Sequence, residues 1–395
     1  MGTDDMFCMS DMRCLFSRIA YAYPMRNFNQ LLIRLAPCRP FSLRASMGSR
    51  AHGLAMHSRA GSAIRLLCAS LLMWIIPAGA AEAACDASTA CEFQFYLEND
   101  ILSGTDQNYT NGIKFGGGVN ADRMIDRLLQ SPARSTLRTI TNRLGEVHVG
   151  LFLGQNIYTP RVITESRPQP FDRPWAAWLY VGGVAQSVLD NRLQTVELDI
   201  GMVGPAALGK LVQTELHSLF NADEPRGWGN QLRNEPGVLL AYLEKWRYGP
   251  ASGAQVVPHF VITLGNVMTL ARAGGIVRAG RNMSGFGPDT IEPGGAMLQR
   301  TRLSDNPSAR TEWYVFGGFD ARLVARNIFL DGNTFRDSPS VDRRNFVYDV
   351  KGGISVRIAP VRVSLTHVYR SSEFSTPLGS GDIQRFQSLN VSWEF

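Results

Sequence analysis

Between Phe346 and Ile358 the chain alternates without a break. Phe346, Tyr348, Val350, Gly352, Ile354, Val356 and Ile358 form one set, and Val347, Asp349, Lys351, Gly353, Ser355 and Arg357 the other. A period of two sends successive side chains to opposite faces of a strand. The pattern recurs in Val196, Leu198, Ile200 and Met202 against Glu197, Asp199 and Gly201, and in Val147, Val149, Leu151 and Leu153 against His148, Gly150, Phe152 and Gly154. Long strands with one apolar and one charged face fit a transmembrane β-barrel, lipid outside and a polar lumen within. A soluble sandwich or lipocalin-like barrel also alternates, but with shorter strands and the apolar face turned inward. With 45% hydrophobic and 19% charged residues, 38 Gly and 20 Pro, the chain is neither a disordered tail nor a polytopic helical membrane protein.

Twelve such strands are predicted, at 92–100, 109–120, 146–156, 175–189, 192–204, 237–248, 256–266, 268–280, 312–325, 344–358, 361–374 and 384–395. The number is even, as bacterial single-chain barrels require. The last strand ends Leu389, Val391, Trp393, Phe395, and a terminal Phe closing an amphipathic strand resembles the sorting signal of bacterial outer-membrane proteins. The expected fold is therefore an all-β, 12-stranded antiparallel transmembrane β-barrel in the outer membrane. With the N-terminus in the periplasm, segments 98–111, 155–175 and 204–236 fall at the extracellular rim.

Ahead of the strands, Arg65 precedes the apolar run Leu66 to Ala80, followed by Ala81, Glu82 and Ala83. Basic start, apolar middle and small-residue cleavage site make residues 56–83 a secretory signal peptide, interrupted by Pro77 and too short for a span. Residues 1–55 read as a mis-called N-terminal extension, and residues 84–395 as the barrel domain. The mature part holds 31 basic and 30 acidic groups, so the net +6 of the whole chain gives no argument for nucleic acid. Of six Cys, Cys85 and Cys91 follow the cleavage site and could close a small loop in an oxidising compartment. Five Arg between Asn120 and Gly145 read as a solvated basic periplasmic loop.

Two rim segments carry chemistry. Glu98, Asn99, Asp100, Ser103, Thr105, Asp106, Asn108, Thr110 and Asn111 crowd carboxylate, amide and hydroxyl oxygens together, which suits a hard cation such as Ca²⁺, although the EF-hand spacing is missing. The same residues would also serve a tight hairpin that needs φ > 0. Downstream, Leu208, Leu211, Val212, Leu216, Leu219 and Phe220 keep helical spacing, while Lys210, Gln213, Thr214 and His217 share another face. That predicts a short amphipathic helix in an extracellular loop, entered through Pro205. His148, His259 and His367 fall within strands, leaving His217 as the imidazole at the rim.

The runs Phe93, Phe95, Leu97, Glu98, Asn99, Asp100; Thr105, Asp106, Tyr109, Thr110, Asn111, Gly112; Gly154 to Pro160; Asp172 to Tyr180; and Gly201, Val203, Gly204, Pro205, Leu208, Gly209, Gln213, His217, Gly227, Trp228, Gln231, Leu232, and Asn234 to Gly237 together resemble the lipid A 3'-O-deacylase family. The match runs in order through the mature chain and is strongest from 92 to 248. It implies a Ca²⁺-dependent barrel enzyme acting on lipid A, the membrane anchor of lipopolysaccharide, by cleaving the ester of its 3'-linked acyloxyacyl group. By the same resemblance Asn99, Asp100 and Thr110 belong to the active site, His217 is its base, and Asp100 with Asp223 or Glu224 holds the metal. The family's basic residue after Thr159 and Pro160 would be Arg161 or Arg167, with no Lys present there. Pairing of two copies is left open. The alternatives are a non-catalytic barrel, porin-like or lipid-binding, and an outer-membrane phospholipase.

Overall fold

The computed structural model describes residues 91–100, 107–120, 145–291 and 310–394. The stretches read above as an N-terminal extension and a signal peptide, and the Arg-bearing stretch after Asn120, lie outside them. The strands are β1 (Cys91–Asn99), β2 (Asn108–Asn120), β3 (Glu146–Thr159), β4 (Ala176–Leu189), β5 (Arg192–Val203), β6 (Glu235–Trp246), β7 (Gly253–Gly265), β8 (Met268–Arg281), β9 (Thr311–Asn327), β10 (Asp342–Arg343), β11 (Phe346–Ile358), β12 (Val361–Arg370), β13 (Phe374–Thr376), β14 (Gly379–Ser380) and β15 (Gln384–Glu394). Twelve of them close a barrel, and the short β10, β13 and β14 form a separate three-stranded sheet. Antiparallel neighbours pair around the whole ring, β1 closing on β15 with Phe93 opposite Trp393 and Asn99 opposite Gln387.

The pattern of burial is the reverse of a soluble barrel. On β5, Val196, Leu198 and Ile200 are 44–54% exposed, whereas Glu197 and Asp199 between them are 2% and 1% exposed. Leu151, Val181, Val277, Phe319 and Val350 continue the exposed apolar belt on other strands. Such a wall is stable where the surrounding solvent is hydrocarbon. Among the described residues no helix is long and apolar enough to cross a membrane. The barrel crosses with strands.

The lumen is packed with charge pairs and aromatic rings. Lys114 donates to Glu197 at 2.7 Å, Lys351 to Asp320 at 2.7 Å, and His259 bonds the other oxygen of Asp320 at 2.6 Å. Arg370 and Arg322 both grip Asp349. Burying ions is costly unless each is paired and hydrogen-bonded, so these partners must be in place together. From the β8 end, residues 282–291 turn into the barrel. Ser284 donates to Glu312 at 2.5 Å, Arg278 holds the carbonyls of Ser284 and Gly285 at 3.0 and 2.7 Å, and Lys245 binds Asp289 at 2.6 Å.

Two departures from the sequence-based boundaries have local causes. The strand predicted through 374 stops at Arg370, because Phe374–Thr376 pairs with β10 and β14 instead of with the barrel. The helix predicted from Pro205 is split into a 3₁₀ turn, Pro205–Ala207, and an α-helix, α1 (Gly209–Phe220), because Leu208 between them adopts φ 59°. Cys91 is disulfide-bonded.

Candidate functional site on the outer wall

Strand parity decides where the site faces. On β1, Phe93, Phe95, Leu97 and Asn99 point outward, and Gln94, Tyr96 and Glu98 point to the lumen, as their alternating burial records. On β2 the outward set includes Val119, Phe115, Ile113 and Asn111, which pairs with Asn99 across the ladder. A bulge between Tyr109 and Asn111 adds one residue, Thr110. That extra residue turns Thr110 to the outer face as well, where its hydroxyl meets that of Thr159 at 2.6 Å. Bulges often re-aim side chains in this way. Asn99 Nδ2 donates to the Thr110 carbonyl at 3.0 Å, tying the β1 end to the bulge. Asp100 follows in a bend, buried, its Oδ2 accepting the Gln107 N–H at 2.7 Å.

Helix α1 does not span the barrel mouth. It lies against the outside of β3 and β4. Ala177 and Leu179 share the outward face of β4 with exposed Val181, opposite to Trp178 and Tyr180, which stack inside at 4.0 Å between centroids. A Cβ on Gly209 would stand 2.4 Å from Ala177 Cβ and 2.7 Å from Trp228, so only glycine lets the helix start this close to the wall. Gln155, outward on β3, donates to the Ala207 carbonyl at 2.6 Å, and the Gly204 N–H donates to the Ala177 carbonyl at 3.0 Å. Ile157, Ile163, Trp175, Ala207 and Trp228 bury themselves in the same seam, the two indoles 5.0 Å apart. Close packing and these hydrogen bonds hold the seam together.

The helix is turned with its polar stripe inward. Gly209, Gln213 and His217 recur every four residues and so share one face; Gln213 and His217 are 2% and 5% exposed, whereas Leu208, Leu211 and Leu219 are exposed. Lys210 and Ser218 are exposed beside the leucines, so the inward turn of Gln213 and His217 follows from the partners they meet there. Gln213 Oε1 accepts the Trp228 indole N–H at 2.8 Å, and His217 Nδ1 meets the Asp223 main-chain carbonyl at 2.5 Å. A carbonyl only accepts, so Nδ1 carries a proton, and in the neutral ring the lone pair lies on Nε2.

Of the sequence-predicted residues, Asn99 and Thr110 are brought together on the wall and Asp100 lies at their strand end. His217 reaches the same outer face from α1. Asp223 touches His217 through its backbone, while Glu224 pairs with Arg226 at 3.1 Å. Among the described residues no three His, Cys, Asp or Glu side chains converge as a metal cage. Arg161 pairs with Asp382 at 3.5 Å and Arg167 with Glu165 at 3.0 Å, both on the surface. The Arg167 hydrogen bond holds the Glu165 carboxyl down at about 2.

Gln155 and Thr159 were given no role at the site from the sequence, and Asn111 was noted only as one oxygen-bearing residue of its segment. All are polar positions on a face that is otherwise apolar, and that mismatch is the signal that finds them. Asn111 is 3% exposed, and its Oδ1 has no hydrogen-bond partner among the described residues.

An apolar outer belt, a lumen filled with paired charges and a polar site on the outer wall define an outer-membrane β-barrel protein. The chain belongs to the family of outer membrane protein LpxR, whose model matches residues 66–395. Among solved structures, LpxR from Salmonella typhimurium is similar at 21% identity with a TM-score of 0.60, covering 76% of this chain and 99% of that one. The beta domain of the Bordetella autotransporter Brka follows at 11% identity and a TM-score of 0.37, covering 78% and 99%. No curated protein matches the chain.

Proposed function

We propose that this chain hydrolyses the ester holding the 3'-linked acyloxyacyl group on lipid A, using His217 as general base. The observation that carries the reading is the placement of Asn99, Thr110, Asn111, Thr159 and His217 on the lipid-facing side of the wall. A lipid of the outer leaflet meets this surface directly, and family membership agrees with it. A porin-like role is disfavoured by the packed lumen, since its paired charges leave no reason for polar groups outside.

The chemistry asks for a base, a water and a group to stabilise the oxyanion. His217 Nε2 takes the proton of the attacking water as its oxygen adds to the ester carbonyl, and returns it to the departing 3'-oxygen. The products are the acyloxyacyl acid and a free 3'-hydroxyl. The Asp223 carbonyl holds the imidazole in the required tautomer and steadies its positive charge after proton uptake. Asn99 and Thr110 orient the reacting groups.

The donor set suits Ca²⁺, which prefers carboxylate, amide and hydroxyl oxygens. Asp100 and Asn111 would hold it, and the buried Oδ1 of Asn111 needs just such a positive partner. Of the two acids after His217, Asp223 is favoured over Glu224, whose carboxylate already pairs with Arg226. When bound, the ion supplies a charge that polarises the ester carbonyl.

The test is mass spectrometry of lipid A from cells expressing the mature chain, its His217→Ala variant, and chelator-treated membranes. Loss of one acyloxyacyl group only in the intact, Ca²⁺-supplied sample supports the proposal. Unchanged lipid A beside a folded, surface-exposed barrel overturns it, and hydrolysed phospholipid in the same extract would indicate the phospholipase alternative.

A further inference from the structure

Asn99 and Thr110 face outward, so their predecessors in the chain, Glu98 and Tyr109, face the lumen. Glu98 is wholly buried. One of its carboxylate oxygens accepts the Tyr109 hydroxyl at 2.8 Å, and the other accepts the main-chain N–H of Ile291 at 2.9 Å. The Tyr109 oxygen in turn accepts from Asn156 Nδ2 at 2.8 Å. Gly112 lies opposite Glu98 in the ladder, and a Cβ there would stand 2.0 Å from the Tyr109 oxygen. The glycine is what admits the tyrosine to this position.

The donor from Ile291 comes from the other end of the barrel. Ile291 is the last described residue of the inserted segment that Glu312, Arg278 and Lys245 seat in the lumen. At one height, therefore, β1 and β2 are clamped on both faces: by Tyr109, Glu98 and Ile291 inside, and by Asn99 on the Thr110 carbonyl outside. The bulge that turns Thr110 outward lies between the two clamps. Both oxygens of the one carboxyl are engaged, one by a strand side chain and one by the inserted segment, so the inner clamp fixes Glu98 from two directions.

We infer that Glu98 is a positioning residue for the outer-wall site, held by residues 282–291 and acting through the barrel wall on the aim of Asn99 and Thr110. This rests on the proposed role of Asn99 and Thr110 in ester hydrolysis. Glu98 touches no substrate; its effect passes through the bulge. Displacing reactive groups by about 1 Å can cost on the order of a hundredfold in rate.

The experiment measures kcat and KM on lipid A in detergent micelles for the full barrel, for Glu98→Gln, and for Glu98→Gln in a Thr110→Ala background. Heat-modifiable gel mobility reports whether each barrel is folded. The expected result is a fall in kcat of about ten- to hundredfold for Glu98→Gln with KM within about twofold, and little further loss when Thr110 is already Ala. Residues that act through one another are non-additive in this way, whereas a general structural defect multiplies. Tyr109→Phe, which removes one oxygen only, should reproduce the kcat loss and serves if Glu98→Gln does not fold. Full activity of both single variants, or independent multiplication with Thr110→Ala, overturns the inference while leaving the proposed function intact. Full activity of Thr110→Ala overturns that part of the proposed site and the inference with it.

Discussion

Replacing Gly209 by Ala tests whether docking of α1 on the outer wall makes the site. The added Cβ would lie 2.4 Å from Ala177 Cβ and 2.7 and 3.1 Å from two Trp228 ring atoms, all far inside van der Waals contact. Neither neighbour can yield freely. Ala177 is backbone-anchored in β4, and Trp228 is fixed by its indole hydrogen bond to Gln213 and by packing on Trp175. Overpacking of this kind costs about 1–3 kcal/mol. Ala is the better helix former by up to about 1 kcal/mol in a helix interior, and less at this first position. The net of about 1–2 kcal/mol corresponds to roughly a five- to thirtyfold shift of the helix away from the wall. The barrel strands share none of these contacts, so gel mobility should report a folded barrel. Amide exchange in α1 should accelerate by that factor, and lipid A deacylation should fall because the added Cβ shifts the seated helix and His217 with it. Ala177→Gly in the same chain should recover part of the loss. An unchanged rate and unchanged exchange would refute the claim that close docking sets the site.

His217→Ala should lower the rate by at least about a hundredfold, and the parent's activity should rise with pH as the imidazole loses its proton; a profile flat from acid to neutral pH would exclude this base. Glu165 will not contribute to that limb, because its lowered carboxyl keeps it ionised until the pH approaches about 2. Its ion pair with Arg167 is present above the ordinary carboxylate range and lost only as pH falls through the lowered value, so Glu165→Gln should leave the profile unmoved. Asn111→Ala should weaken Ca²⁺ binding, read by calorimetry, by about tenfold or more, the scale of a lost interaction with a charged group; undiminished affinity would remove Asn111 from the ligand set. Lys114→Met should destabilise the barrel, because it removes a buried cation 2.7 Å from Glu197; a falling unfolding temperature in detergent, partly restored by adding Glu197→Gln, would confirm the pair.

Much of this was legible in the chain because it is periodic. The inverted alternation at Val196 to Ile200 sets an apolar wall against a charged lumen whatever the strands pair with. Similarly, Leu208, Leu211 and Leu219 keep helical spacing, and Gln213 and His217 fall on the opposite face. The direction each face takes was not local. The polar stripe of α1 turns inward because the wall supplies Gln155, Ala177 and Trp228 as partners, residues brought together from β3, β4 and the loop before β6.

The sequence alone determined that the chain makes a closed, lipid-facing barrel of twelve strands and which residue types crowd its helix-bearing end, since alternation and turn chemistry act between near neighbours. The tertiary structure decided that the site is outside the barrel. A single inserted residue at Thr110 reverses one side chain, and a hydroxyl of β3, a loop carbonyl at Asp223 and a luminal segment at Ile291 hold the result in place. Those contacts join residues 49 and 193 positions apart in two of these cases, and no local rule of spacing encodes them.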